Sequence, residues 1–298
     1  MKKKISNNFV AKMTWWIIWA VMAFYCISLV VPTVWVFLSS MKSNADFLLH
    51  PLEMPREWKI ENYITAWQNF KVERVDKLGQ PMRYGIFPMA YYSICNALGR
   101  SVIGVISTML AAYVLARYEF VGKNFIVNLG IVVMIVPIIG SLPSAMAVKR
   151  ALGLHNNMLG LILTSPIMAF SGLDFLLMYG TFSKIPKEYS EAVYLDGGGH
   201  FTAMIRVVMP MAVPTGVALF VLAFLGSWND YNTYILWMPS YPSISIGIYL
   251  FQQQSELYGV TTPIILAAMV LACIPTALIW VFLHKIIMEK FTVGGLKG

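Results

Sequence analysis

The sequence predicts an all-α membrane protein with six transmembrane helices and one helix–turn–helix elbow on the cytoplasmic side. Three observations carry that prediction. Mean hydropathy is +0.67 and 12% of residues are charged, whereas ordinary soluble domains carry roughly 25% charge. Six apolar runs are each long enough to cross a hydrocarbon core, which takes ~20 residues. One long polar stretch, Ser183 to Pro210 (SKIPKEYSEAVYLDGGGHFTAMIRVVMP), interrupts a chain that is 58% hydrophobic and carries a helical pattern on both sides of a glycine cluster.

The crossings are predicted over Trp15–Ser39, Met89–Arg117, Phe125–Val148, Met158–Phe182, Met211–Tyr231 and Pro263–Met288. Five segments follow: a cytoplasmic N-terminus (1–14), the first crossing (15–39), an extracytoplasmic loop (40–87), a five-helix core (88–288) carrying the elbow at 183–210, and a cytoplasmic tail (289–298). The opening MKKK ahead of an apolar run imitates a signal peptide, but the run is long enough to span and reads as an uncleaved first crossing. Lys2, Lys3, Lys4 and Lys12 place the N-terminus inside. Alternation then puts 117–124, the elbow and the tail on the same side. The inside segments hold 12 Lys/Arg and the outside segments 9, seven of them in the long first loop beside six acidic residues.

The net charge of +8 does not point to nucleic acid, because the basic residues flank apolar runs instead of forming one patch. That arrangement suits anionic headgroups and the orientation of a membrane chain. Cys26, Cys95 and Cys273 all lie in apolar segments without metal-like spacing and read as small buried hydrophobes. The histidines His50, His155, His200 and His284 are scattered, with no HExxH, and no G-x-x-x-x-G-K-[ST] exists to cradle a nucleotide. No enzyme constellation emerges.

In the elbow, Pro186 suits a first helical turn, and Glu188 and Glu191 favour the positive end of the helix dipole. Gly197, Gly198 and Gly199 permit a sharp reversal. His200 to Met209 reads as a second short helix stopped by Pro210. The plain alternative is a pair of amphipathic helices lying on the headgroups.

Between the crossings, Met41 to Phe87 is too long for a simple connector, with a short helix pattern at Glu61–Trp67 and a charged stretch, KVERVDKLGQPMRYG, that forms a hairpin or an irregular insertion. In the second crossing, Gly99, Gly104 and Ala111-Ala112 permit close helix approach. Arg100 lies within the same apolar run and either pairs with a neighbouring helix, reaches a wet cavity or contacts solute. Pro137, Gly140 and Pro143 predict a kink in the third crossing, and freed backbone carbonyls there suit a segment lining the path. Asp174, in the fourth, has three open roles: pairing with Arg100, binding solute, or remaining neutral. The fifth ends in GSWNDY, where Trp228, Asn229 and Asp230 combine an aromatic face with hydrogen-bonding groups. Such a set serves sugar recognition or sits at the outer interface as part of an aromatic belt.

Glu191-Ala192-Val193, then Gly197 after three residues, Val207 nine residues on, and Met209-Pro210, resembles the EAA signature of ABC-transporter permease subunits. The sequence departs from it at Val193, Val207 and Met209, which keep apolar character. The resemblance extends to ARYEFVGK at 116–123, the Trp-Asn pattern at 228–229 and the glycine-rich tail ending Lys297-Gly298. It is strongest to the smaller permease partner of maltose-type carbohydrate importers, a type I ABC importer fold. What it implies is the permease half of an ATP-driven sugar or oligosaccharide importer in a bacterial cytoplasmic membrane, both termini inside. The implied partners are a homologous permease in a heterodimer, two copies of an ABC ATPase and an extracytoplasmic solute-binding protein, for which the first outer loop is either a docking surface or a solvated cap. ATP and Mg would sit on the ATPase and no cofactor on this chain. Glu191, Ala192, Val193, Asp196, Gly197 and Pro210 would meet the ATPase, and the tail around Lys297 would reach into its dimer. Other solutes, such as a polyol, glycerol phosphate or a modified peptide, fit the same architecture. A stand-alone secondary transporter with Arg100 and Asp174 as its relay is the reading from a different class.

Overall fold

The computed structural model describes all residues except Met1, Lys77, 137–139, 166–168, Ser171, 254–258 and 292–298. Pro137 and the tail from residue 292, Lys297 included, therefore lie outside the described residues. The chain divides into two units: Met1–Phe70 with Phe251–Cys273, and Lys71–Leu250 with Ile274–Gly298.

The first unit opens with helix α1 (Lys2–Ser40), followed by α2 (Asn44–Leu49) and α3 (Glu61–Asn69). Apolar side chains along α1, among them Trp15, Phe24, Leu29 and Val30, are exposed, as lipid-facing residues of a spanning helix must be. The segment after α1 is tied down by side-chain donors to backbone oxygens. Lys42 is buried at 1% exposure and its Nζ donates to His50 O (2.7 Å) and Pro51 O (3.2 Å). Asn62 Nδ2 donates to Ser40 O and Lys42 O, both at 2.8 Å, and Trp35 Nε1 to Pro51 O at 2.7 Å. Such bonds satisfy an irregular backbone that has no ladder of its own.

The second unit begins with a hairpin, β1 (Val72–Val75) antiparallel to β2 (Pro81–Tyr84), with Val72 opposite Tyr84. Of the two readings of this charged stretch, a hairpin and an irregular insertion, the structure has the hairpin, in an otherwise helical chain: Val72, Val75 and Tyr84 favour strands, and Asp76 Oδ1 accepts from the N–H groups of Leu78 and Gln80 to close the turn. Helices α4 (Ile86–Arg117), α5 (Lys123–Ile135), α6 (Ser141–Ala151), α7 (Met158–Leu163), α8 (Leu173–Lys184), α9 (Glu188–Leu195), α10 (His200–Ala203), α11 (Met209–Asn229), α12 (Tyr231–Leu236), α13 (Ile244–Gln253) and α14 (Thr262–Phe291) follow, the last two crossing from one unit to the other.

Among the described residues four helices are long and apolar enough to cross a membrane: Ala11–Ser40, Ile86–Arg117, His200–Asn229 and Thr262–Phe282. The predicted third and fourth crossings are each two shorter helices. Val136 ends α5 in an extended conformation, the geometry imposed on a residue that precedes proline, while Pro143 fits the first turn of α6, where its missing N–H costs nothing. The sequence reading anticipated this interruption but not the next. There α7 stops at Leu163, three residues before Pro166, and Gly172 adopts φ +92 ahead of α8, a backbone conformation that glycine tolerates and L side chains resist.

The core of this unit lies where α4, α8 and α11 meet, with Ala112, Tyr113, Leu115, Phe175, Met178, Phe182, Val208, Ala212 and Leu219 buried together. Of the small residues on α4, Gly99 is a true close approach: a Cβ there would lie 2.8 Å from Ile162 Cδ1 on α7. Gly104 faces open space.

Candidate functional site: the elbow and the polar path

The elbow stands on that core. Ile185, directly after α8, is 8% exposed and Val208, directly before α11, is fully buried, so both of its feet are embedded. Pro186 falls outside the expected first turn, two residues ahead of Glu188 and just before the cap residue Lys187. Helix α9 ends in a left-handed cap. Gly197 has φ +80, its N–H donates to Tyr194 O (3.1 Å), and the Gly198 N–H donates to Val193 O (2.8 Å). This paired pattern absorbs carbonyls that a helix end leaves unpaired. Gly198 is required for room: an added Cβ would sit 2.5 Å from Val193 Cγ1. Gly199 is extended and faces open space, so of the three glycines only Gly197 and Gly198 are required by the backbone or by room.

Pro210 does not end the second elbow helix, contrary to the sequence reading. His200 to Asn229 runs on as one helix through a π-turn at Met204–Val208. A proline in a helix clashes with the carbonyl four residues back. The wider π-turn, in which the Met209 N–H donates to Met204 O, accommodates Pro210 as the second residue of α11.

A residue that the sequence reading counted only as an inside charge holds the elbow in place. Arg117, at the end of α4, donates from Nη1 to Ile185 O (2.6 Å), and from Nη2 to Pro186 O (3.3 Å) and Ser190 Oγ (2.9 Å). Around it Tyr113, Tyr118, Lys187, Ser190, Glu191 and Tyr194 line a pocket of about 110 Å³. Tyr194 Oη is 2.8 Å from His200 Nδ1, joining the two arms of the elbow, and the His200 ring also meets Tyr118 at 5.8 Å. In the neighbouring turn, Lys123 bonds Glu119 at 2.8 Å and holds that carboxylate below its usual range. Beyond this anchor the elbow displays apolar side chains with nothing over them: Leu195 is 89% and Phe201 72% exposed, and Tyr189 and Ile205 about half. Glu191, Ala192 and Asp196 are exposed beside them, and Val193 is half-buried.

The candidate path residues are brought together in part. Arg100 pairs with Asp230 at 3.4 Å, not with Asp174. Asp230 also caps α12, its Oδ1 accepting from the Thr233 N–H at 3.0 Å and its Oδ2 from the Thr233 hydroxyl. Asp174 is exposed in the first turn of α8, where the break at Gly172 creates a helix N-terminus that suits a carboxylate. Trp228 is 4% exposed and stacked on Phe224 at 5.8 Å, so its ring is part of the helix packing. Asn229 is exposed and donates to Leu225 O. Two polar ties went unanticipated: Asn96 Nδ2 donates to Tyr234 Oη (2.9 Å), and Asn156, at φ +55, exchanges bonds with Ser240 through both ends of its amide. No group of three or more potential metal ligands occurs among the described residues.

Comparison with known proteins agrees with this architecture. The chain is 27% identical over 270 residues to a sulfoquinovosyl glycerol transport system permease protein of Agrobacterium fabrum, covering 90% of this chain and 88% of that protein. It is 27% identical over 277 residues to a diacetylchitobiose uptake system permease protein of Streptomyces coelicolor, covering 92% and 86%. A subunit of a crystallised bacterial ABC transporter involved in import of the acidic polysaccharide alginate superposes with a TM-score of 0.67 at 20% identity, over 89% of this chain and 93% of that one, a likeness of fold. Residues 101–292 match the family described as the binding-protein-dependent transport system inner membrane component. With its apolar helices, its embedded elbow and that match, the chain belongs to this family, the inner-membrane permease subunits of ABC importers.

Proposed function

We propose that this chain forms half of the translocation path of an ATP-driven importer for a sugar or oligosaccharide, and that the elbow, residues 188–208, transmits the ATPase cycle to the path. The observation that carries the reading is the elbow's construction: Leu195 and Phe201 project uncovered from a segment whose feet, Ile185 and Val208, are embedded in the α4–α8–α11 core. A push on such a segment is passed to three helices at once, because packed cores shift between discrete arrangements and do not deform smoothly. The sugar class rests on the relatives, two of which are permeases for glycosides.

Under this reading the paired helices α5–α6 and α7–α8 make the third and fourth of six crossings, irregular backbone at membrane depth being tolerated where it lines a cavity. The elbow, the α4–α5 turn and both termini then lie inside. The chain carries no phosphate-cradling loop, so ATP and Mg belong to a separate ATPase present in two copies. A homologous permease completes the path, and a solute-binding protein delivers from outside. Glu191, Ala192, Val193, Asp196 and Gly197 face the ATPase, and Pro210 with its π-turn sets where the elbow joins α11. The test is binding-protein-stimulated ATPase activity and uptake in proteoliposomes. Glu191→Ala and Gly197→Pro should each abolish stimulation while the complex still assembles, and normal transport by both variants would remove the coupling assignment.

A further inference from the structure

The start of α1 carries a cleft that neither the elbow nor the polar path uses. Among the described residues Lys12, Trp15, Trp16 and Trp19 line a cavity of about 540 Å³, within the range of small-molecule pockets and too large for a lone ion. Their spacing of i, i+3, i+4 and i+7 puts all four on one face of the helix. The Trp16 and Trp19 rings meet edge to face at 6.1 Å and 76°, so they form a corner and not a flat patch. Trp15 is 74%, Trp16 70% and Trp19 59% exposed, and Lys12 is exposed with them. Depth follows from length. The span Ala11–Ser40 has 30 residues and measures about 45 Å at 1.5 Å per residue, the thickness of a bilayer with its headgroups. Lys12 is therefore at headgroup level, and Trp19 lies about 10 Å further along the axis, at the acyl boundary. Charge selects the kind of headgroup. Lys2, Lys3, Lys4 and Lys12 precede or open the span, and the first acidic residue of the chain is Asp46. Tryptophan faces alone favour a quaternary ammonium head, but a lysine at the mouth of the cleft repels such a cation and attracts a phosphate.

We propose that Lys12, Trp15, Trp16 and Trp19 form a binding site for one anionic phospholipid of the leaflet that meets the start of α1. The lysine pairs with the headgroup phosphate, and the indole rings pack on the glycerol and the upper acyl chain, the level at which tryptophan settles in a bilayer. The site lies in the unit that does not contain the elbow and depends neither on coupling nor on the solute.

The test counts the lipid retained by the full-length chain, purified with its partner subunits. Native mass spectrometry reads it after exchange into equal amounts of phosphatidylglycerol and phosphatidylcholine with matched acyl chains. Phosphatidylglycerol should be retained about fivefold over phosphatidylcholine, the scale of one lysine at an anionic surface. Lys12→Gln, a change at an exposed side chain, should erase most of that preference. Lys2→Gln, Lys3→Gln and Lys4→Gln combined should leave it within about twofold. Trp16→Leu with Trp19→Leu, which keeps the helix apolar, should lower phosphatidylglycerol retention about fivefold with Lys12 in place. Equal retention of the two lipids, or a preference for phosphatidylcholine, would overturn the proposal. So would a preference that follows Lys2 to Lys4 and not Lys12, which is attraction to a basic tail without a site, or full retention by the Trp16→Leu, Trp19→Leu variant. Loss of a partner subunit from that variant would also overturn it, because a protein and not a lipid would then cover this face.

Discussion

Arg117 at the end of α4 and Ser190 in the first elbow helix are joined by a 2.9 Å hydrogen bond, part of a three-acceptor clamp that includes the backbone oxygens of Ile185 and Pro186. The planar guanidinium reaches all three at once, which a lysine ammonium on a flexible stem does poorly. Hydrogen bonds to a charged group contribute on the order of 1.5–3 kcal/mol. Arg117→Gln should therefore leave the chain inserted in the membrane and bound to its partners, yet lower binding-protein-stimulated ATPase activity on the order of tenfold, the rate equivalent of 1.4 kcal/mol. Arg117→Lys should recover only part of it. An Arg117→Lys variant with full activity would show that charge, and not the fork, is what matters there.

Gly197 holds φ +80, a conformation that costs an L-residue roughly 1–2 kcal/mol and that asparagine visits more readily than valine does. A substitution series at this position should follow that order, with Gly197→Asn retaining the most uptake, Gly197→Ala less and Gly197→Val least. Uptake by proteoliposomes and the yield of assembled complex measure the two consequences separately. Equal uptake by the asparagine and valine variants would mean that the left-handed cap is not needed for coupling.

What the sequence made legible was local. The glycine cluster, the flanking carboxylates and the proline near each end placed the elbow within a few residues, because caps and turns are written in adjacent positions. The interruption between α5 and α6 was visible for the same reason. What escaped depends on contacts made across long stretches of chain. Arg117 meets an oxygen 68 residues away and Arg100 a carboxylate 130 residues away, and nothing in composition chooses Asp230 over Asp174 as the partner. Pro210 looked like a stop because a π-turn has no spacing signature of its own. The second break escaped because apolar residues continue on both sides of Pro166 and Gly172, and hydropathy does not distinguish one long helix from two short ones.

The crossing of α4 and α7 offers a test of packing that is independent of transport. A Cβ on Gly99 would lie 2.8 Å from Ile162 Cδ1 and 3.0 Å from its Cγ2. Overpacking of this kind costs about 1–3 kcal/mol, so Gly99→Ala should lower the Tm of the purified complex by several degrees. Adding Ile162→Ala removes the atoms in conflict, and the double variant should recover most of the loss beyond the cost of the truncation itself. Simple additivity of the two losses, read by a double-mutant cycle, would place the strain elsewhere.

The final expectation concerns the uncovered elbow face. Leu195 at 89% and Phe201 at 72% exposure lie on the two arms, either side of Gly197, and neither belongs to the buried core beneath them. Large apolar side chains held in this way on a projecting elbow lose little by exposure singly, but gain by insertion into a partner's groove. Replacing both, as Leu195→Ser with Phe201→Ser, should leave the Tm of the isolated permease unchanged, since no core contact is removed. The same pair should reduce co-purification of the ATPase subunit by at least about tenfold, the effect expected from losing on the order of 1.4 kcal/mol at an interface where a few anchors dominate. Undiminished ATPase recovery would mean that the partner grips the permease somewhere other than this face.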